Sequence, residues 1–309
     1  MKVHYNFDNY KVQKPVITVG AFDGVHKGHV EILNLVRNYA LKINGESIVV
    51  TFWPHPRLVL NHDESIRLLN TLDEKLSLFA NAGIDHVVVI PFTEEFSELS
   101  SNQFIEEIMV KKLNVNHLIV GFNHHFGKGR EGNFETMKEH AGHFGFTIEK
   151  LDAQMVENEK VSSTLIRKAL NEGDIELANK CLGYHYSITG KVLEGKKIGR
   201  TIGFPTANVL INEAFKLVPK VGVYAVIVSV DGRQYPGMLN IGYNPTIDSS
   251  NVKLSIEVHL INFADNLYDK EITLIFQKRV RDEVKFEGLD HLKKQLNADK
   301  AEIMKILGV

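Results

Sequence analysis

The chain has 309 residues, 36 of them Lys or Arg and 38 Asp or Glu, for a formal net charge of −2. That length suits two domains of ordinary size, and the near balance of charge leaves no general electrostatic footprint for nucleic acid. A lone Cys181 excludes an internal disulfide framework. With no signal-peptide core in Met1 to Tyr10 and no apolar run that could span a bilayer, the expected location is the cytoplasm, without a membrane partner.

The first strong element is Val16-Ile17-Thr18-Val19, a β-branched apolar run of the kind buried on both faces of a sheet. Gly20 and Gly24 punctuate a turn after it, and Ile32, Val36, Ala40 and Ile43 then recur at helical spacing. Strand, tight loop and helix place His26 and His29 at the loop–helix junction, three residues apart and facing one side. The first turn of a helix offers unpaired N–H groups and a partial positive charge, so two imidazoles there favour a phosphate. Half of a metal site and simple packing are the alternatives. No nearby Cys or carboxylate clearly completes a zinc set, and the Gly-x-Gly-x-x-Gly of a redox dinucleotide site is absent.

Further along, Ile48–Phe52 is a second strand, and Thr71-Leu72-Asp73-Glu74 has capping-box spacing for a helix that Gly83 closes. Val87–Ile90 is a third strand. Phe104, Ile105, Ile108 and Leu113 form the core stripe of the next helix, and Leu118–Val120 and Phe146–Ile148 add two more strands. Repeated strand–helix–strand units argue for a doubly wound parallel sheet, whose ligands bind beyond the carboxyl ends of its strands. The loops after those ends are rich in His and basic residues: Phe22 to His29, then Trp53-Pro54-His55-Pro56-Arg57, then Gly121 to Arg130. Lys27, Arg57, Lys128 and Arg130 here, with Lys196, Lys197 and Arg200 later, suit a small anionic ligand better than a polymer.

Val161-Ser162-Ser163-Thr164-Leu165-Ile166-Arg167 reads as a capped helix start. A cap alone leaves Arg167 unexplained, one turn in and on the side of Ser163 and Thr164. Hydroxyls, free N–H groups and a guanidinium together match a polyphosphate. Neither a Ser-His-Asp set nor a Walker lysine motif stands out. In-line transfer of a nucleotidyl group from ATP to an anionic phosphate needs neither, only positioning and charge neutralisation.

The motifs Gly20-x-Phe22-Asp23-Gly24-Val25-His26-x-Gly28-His29 and Ser162-Ser163-Thr164-x-x-Arg167 resemble the adenylyltransferase module of bacterial bifunctional riboflavin kinase/FAD synthetases, over residues 1–183. The resemblance implies that His26 and His29 are catalytic and, with Ser163, Thr164 and Arg167, hold the ATP phosphates. It also implies a shared adenylyl and flavin site formed by Phe22, Asp23, Gly24, His55 and Asn123. Trp53 stands where an acidic residue is usual in that family, and His124 where Phe is usual.

After the helix Ile175–Leu182, closed by Gly183, the pattern becomes strands without helices. Val223–Val230, Asp231-Gly232 and Arg233 onward read as a hairpin with a type I′ turn. Lys253–Leu260 alternates, setting Glu257 and His259 opposite Leu254, Ile256 and Val258. Ile272–Phe276 is a further strand, and Leu289, Leu292, Leu296, Ile303 and Leu307 line one side of a terminal helix. These elements predict an antiparallel barrel with a closing helix. Gly199-Arg200-x-x-Gly203-Phe204-Pro205-Thr206-Ala207-Asn208, with Glu257-x-His259, is similar to flavokinase throughout residues 184–309. That similarity implies ATP contacts at Lys196, Gly199, Arg200, Gly203 and Pro205, Mg²⁺ at Thr206 and Asn208, a general base in Glu257, and flavin contacts at Arg281 and Phe286.

The expected protein is thus an α/β nucleotidyltransferase domain followed by a β-barrel kinase. It would use ATP and Mg²⁺ to turn riboflavin into FMN and FMN into FAD, with the oligomeric state open. A nucleotidyltransferase acting on another phosphorylated acceptor, or a flavin-responsive regulatory protein, is the rival reading.

Overall fold

The structure, a computed structural model, describes the chain except residues 8–9, 61–65, 123, 153–154, 157–158, 195–198, 200–201 and 246–251. Two compact units result, Met1–Ser163 and Thr164–Val309.

In the first unit, β1 (Lys2–His4), β2 (Pro15–Val19), β3 (Glu46–Trp53), β4 (His86–Pro91), β5 (His117–Gly121) and β6 (Thr147–Leu151) form a parallel sheet ordered β1-β4-β3-β2-β5-β6. The helices are α1 (Lys27–Ile43), α2 (Pro56–Leu60), α3 (Leu72–Asn81), α4 (Glu94–Ser97), α5 (Ser101–Gln103), which runs on as a π-helix over Phe104–Lys112, and α6 (Phe134–Phe144). Strand side chains alternate between two apolar layers. Ile17, Val19, Ile48 and Val50 pack with Phe104, Met109 and Met137. On the opposite face Val49, Val87 and Val89 meet Leu33 and Phe79, while Val16 and Ile119 meet Ile32 and Val36. The doubly wound sheet expected from the alternating pattern is therefore present. Strand order reverses beside β2, which puts the ligand crevice of such sheets beyond the ends of β2 and β5.

Two features differ from the sequence expectation. β1 has too few apolar residues to show a pattern, yet it pairs with the edge of β4, Lys2 opposite His86. The segment bearing Phe104, Ile105, Ile108 and Leu113 is π-helical, not α-helical. Its buried residues Phe104, Ile105, Ile108, Met109 and Leu113 recur at four to five positions, and the wider i→i+5 winding keeps them on one face. The Leu113 amide accordingly donates to the Ile108 carbonyl at 2.9 Å.

Short strands β7 (Met155–Val156) and β8 (Glu159–Lys160) pair before α7 (Ser163–Glu172), and α8 (Ile175–Leu182) ends at Gly183, whose φ is 83°. In the second unit β9 (Ser187–Leu193), β10 (Ala207–Leu210), β11 (Gly222–Val230), β12 (Arg233–Pro245), β13 (Val252–Leu260) and β14 (Glu271–Arg281) close an antiparallel barrel, β10-β13-β12-β11-β14-β9. The β11–β12 turn has φ of 48° at Asp231 and 77° at Gly232, as a type I′ turn requires. Inside, Val226, Val228 and Val258 close around Gly237, where a Cβ would meet Val228 at 2.7 Å. Outside, α9 (Leu289–Leu307) lays Ile303 against Val223, Ala225, Met238 and Phe204.

Two apolar positions of these segments are exposed. Leu289 is 58% exposed, because the helix starts beyond the barrel surface it later covers. Leu254 is 38% exposed; it pairs with exposed Tyr243 near the end of β12 and β13, past the packed part of the barrel.

Candidate active sites

The first unit gathers its polar groups at the turn between β2 and α1. This turn is strained: φ is 48° at Phe22, 88° at Gly24 and 32° at Val25, and a β-branched residue rarely adopts such a value. Several contacts hold it there. The Asp23 carboxylate is buried and accepts from the Leu69 amide at 2.9 Å and the Asn70 amide at 3.4 Å. The Ser163 hydroxyl donates to the Asp23 carbonyl at 2.7 Å. Lys75 on α3 donates to the Ala21 carbonyl at 2.7 Å.

His26 is the N-cap of α1 and makes no side-chain cap. Its ring stacks on that of His29, centroids 3.6 Å apart and planes 14° from parallel. Phe22 meets His29 edge-on at 5.1 Å. The Nδ1 atoms of both histidines are buried without a hydrogen-bond partner, so two polar atoms at a helix N-terminus are left for a ligand. Burial pushes the His26 pKa down to about 4 against the opposing pull of Asp23. Burial, with His26 and Lys75 nearby, holds His29 well below its ordinary value. Both rings are neutral at neutral pH.

His55 is buried after β3, and its Nδ1 accepts from the Arg57 amide at 3.2 Å. Trp53, at the end of β3, packs with the cluster that holds Phe22. Thr164 is exposed in the first turn of α7, with half-buried Arg167 one turn on. Asn123 lies outside the described residues, as do Lys196 and Arg200 of the second unit.

Lys75 is the group that sequence reasoning missed. It is 1% exposed, and its ammonium lies 5.6 Å from the Trp53 ring centroid. Burial lowers its pKa to about 8, with Asp23 opposing the shift. A signal existed: Lys75 falls on the apolar stripe Leu72, Leu76 and Phe79 of α3, a place for a hydrocarbon side chain.

In the second unit the polar patch lies on the outer face of the barrel. Asn208 on β10 and Asn240 on β12 stand in register on either side of Glu257 on β13. The Thr206 hydroxyl donates to Glu257 Oε2 at 3.3 Å, and the Ser255 hydroxyl donates to Oε1 at 3.0 Å. Ahead of Thr206, Gly203 has φ of 87°, and the Phe204 amide donates to the Gly199 carbonyl at 2.8 Å. Pro205 offers its carbonyl to His259 Nδ1 at 2.8 Å. His259 is buried, on the face expected for it, with its ring edge-on to Phe204 at 5.3 Å.

Arg281 ends β14 and grips buried Asp299 of α9 through Nε at 3.0 Å and Nη2 at 2.7 Å. Its guanidinium lies 5.9 Å from the Phe286 ring. The segment between Arg281 and α9 approaches the Glu257 patch, since a Cβ on Gly242 would come within 2.1 Å of the Glu283 carboxylate.

Comparison with known proteins bears on both units. The FAD synthetase family model matches residues 9–165 and the riboflavin kinase model residues 182–307. A bifunctional riboflavin kinase/FMN adenylyltransferase of Bacillus subtilis is 41% identical over 296 residues, spanning 94% of this chain and 92% of its own. The protein of the same description from Listeria monocytogenes is 40% identical over 289 residues, 93% and 90% of the two chains. A crystal structure described as a macrolide-efflux protein from Streptococcus pneumoniae matches with a TM-score of 0.87 and 28% identity over 97% of each chain. No helix among the described residues is long and apolar enough to cross a membrane.

A doubly wound nucleotidyltransferase unit and a flavokinase barrel together define an ATP-using transferase with two activities. The chain belongs to the bifunctional riboflavin kinase/FMN adenylyltransferase family.

Proposed function

We propose that the two reactions of this family run at two separate places in the chain, adenylyl transfer within residues 1–183 and riboflavin phosphorylation within residues 184–309. The observation that carries the first assignment is the stacked pair His26 and His29, with buried, unpartnered Nδ1 atoms at the N-terminus of α1 beside the strand-order switch. An FMN phosphate oxygen attacks the α-phosphorus of ATP; the bond from that phosphorus to the bridging oxygen breaks and pyrophosphate leaves. The nucleophile is already anionic, so no base is required. The imidazoles, the α1 N-terminus, Ser163, Thr164 and Arg167 offset the charge on the transferring group and on pyrophosphate. Phe22, Asp23, Gly24, His55 and Asn123 shape the adenylyl and flavin side of that site.

In the barrel, the ribityl hydroxyl is neutral and must lose a proton as it attacks the γ-phosphorus, with ADP leaving. Glu257 accepts that proton. Lys196, Gly199, Arg200, Gly203 and Pro205 hold ATP, and Arg281 and Phe286 flank the flavin. The Thr206 hydroxyl and the Asn208 amide oxygen lie beside Glu257 and are hard oxygen donors that suit Mg²⁺. When bound, that ion would neutralise nucleotide phosphate charge. The lone, buried Cys181 agrees with action in a reducing cytoplasm.

Measuring each half-reaction in two variants tests the assignment. Glu257→Gln should lower FMN formation from riboflavin by roughly 10²-fold or more while FAD formation from supplied FMN persists. His29→Ala should do the reverse, so that FMN accumulates. Equal loss of both half-reactions in Glu257→Gln would sink the two-site reading.

A further inference from the structure

We propose that Lys75 is a positioning residue for adenylyl transfer, its buried ammonium clamping the Ala21 carbonyl so that the strained turn presents His26 and His29. The inference rests on the placement of that reaction at the β2–α1 turn. Left-handed φ values at Phe22 and Val25 persist only where neighbours over-determine them. Asp23 and Ser163 secure the middle of the turn, at Leu69, Asn70 and the Asp23 carbonyl. Its entry is held at Ala21, where Lys75 donates at 2.7 Å and the Thr51 hydroxyl stands at a long 3.5 Å.

A structural explanation alone fits poorly. Lys75 interrupts the apolar stripe of α3, and an ammonium taken out of water costs stability that a hydrocarbon side chain would not. A buried ammonium held at that cost, on a backbone carbonyl next to the two histidines' turn, points to function. The groups facing it are Asp23 on the turn, His29 on α1 and the Trp53 ring at the end of β3. On its own helix, Glu74 is engaged with the Thr71 and Asn70 nitrogens. Burial leaves Lys75 titrating at about 8 in the free protein.

The full-length Lys75→Met, Lys75→Arg and His29→Ala proteins would be compared with wild type for kcat and KM of FAD formation, riboflavin phosphorylation, melting temperature and Trp53 emission against pH. Lys75→Met should lose roughly 10²-fold in kcat/KM for FAD formation, the scale of a small misplacement of reacting groups. Its melting temperature should be no lower, and its riboflavin phosphorylation should be unchanged. Wild-type kcat/KM and Trp53 emission should both change with a midpoint at about 8, where Lys75 deprotonates. That shared midpoint should vanish in Lys75→Met, and Lys75→Arg, which stays charged, should recover activity at high pH. If His29→Ala is inactive in FAD formation while Lys75→Met works normally, the positioning role is wrong and the site stands. If His29→Ala itself works normally, the site is misplaced and the inference falls with it. A Lys75→Met protein whose lost activity tracks a lower melting temperature, without recovery in Lys75→Arg, would make Lys75 merely structural.

Discussion

Two neutral imidazoles face the place assigned to a triphosphate, and this has a measurable acid–base consequence. The folded pKa of His26 is about 4 against an ordinary 6.5, so between those values the unfolded chain binds the additional proton. Stability contributed by His26 is therefore full above about pH 6.5 and is lost as pH falls toward 4. A shift of that size corresponds to about 3 kcal/mol. The melting temperature should drop across that window, and His26→Ala should flatten the drop. Bound phosphates favour the charged imidazole and would pull the shift back. ATP binding below neutral pH should thus take up protons, seen as a binding enthalpy that changes with the ionisation heat of the buffer. Proton uptake that survived in His26→Ala and His29→Ala alike would assign it to other groups.

Among the elements, long periodic segments were legible in the sequence and short or unusual ones were not. The β2–α1 unit, the α3 capping box, the Gly183 cap and the Asp231-Gly232 turn each rest on local chemistry that the fold has no reason to override. β1 was hidden because three residues at a sheet edge carry no periodicity. The π-helix was read as α because apolar residues four to five apart fit either winding. Lys75 and the Arg281–Asp299 pair needed coordinates, since a buried charge is recognised by what surrounds it. Asp299 accepts from Arg281 and also from Gln295 at 2.8 Å, and it is 2% exposed. Asp299→Ala removes charge-assisted hydrogen bonds from the part-buried Arg281 guanidinium, so it should cost about 1.5–3 kcal/mol in denaturant unfolding of the barrel unit. A cost below about 1 kcal/mol would place the pair with ordinary surface ion pairs.

For the whole molecule, the two separate sites proposed above make FMN an intermediate that is expected to leave one site before it reaches the other. Mixing Glu257→Gln protein with His29→Ala protein should convert riboflavin to FAD after a lag in which FMN builds up, although neither does so efficiently alone. Absence of FAD from the mixture, with each variant still competent in its own half-reaction, would show that FMN does not pass between chains. The two units also differ in how they end. Closure of the barrel leaves none of its six strands without a second neighbour, whereas the parallel sheet stops at β1 and β6. Those borders are where a strand from another molecule could add itself. β1 is guarded by its three-residue length and exposed Lys2, and β6 by exposed Glu149 and Lys150. The charges on β6 therefore act as gatekeepers against self-association, and neutral β-branched residues in their place would leave an adhesive border on an otherwise intact enzyme.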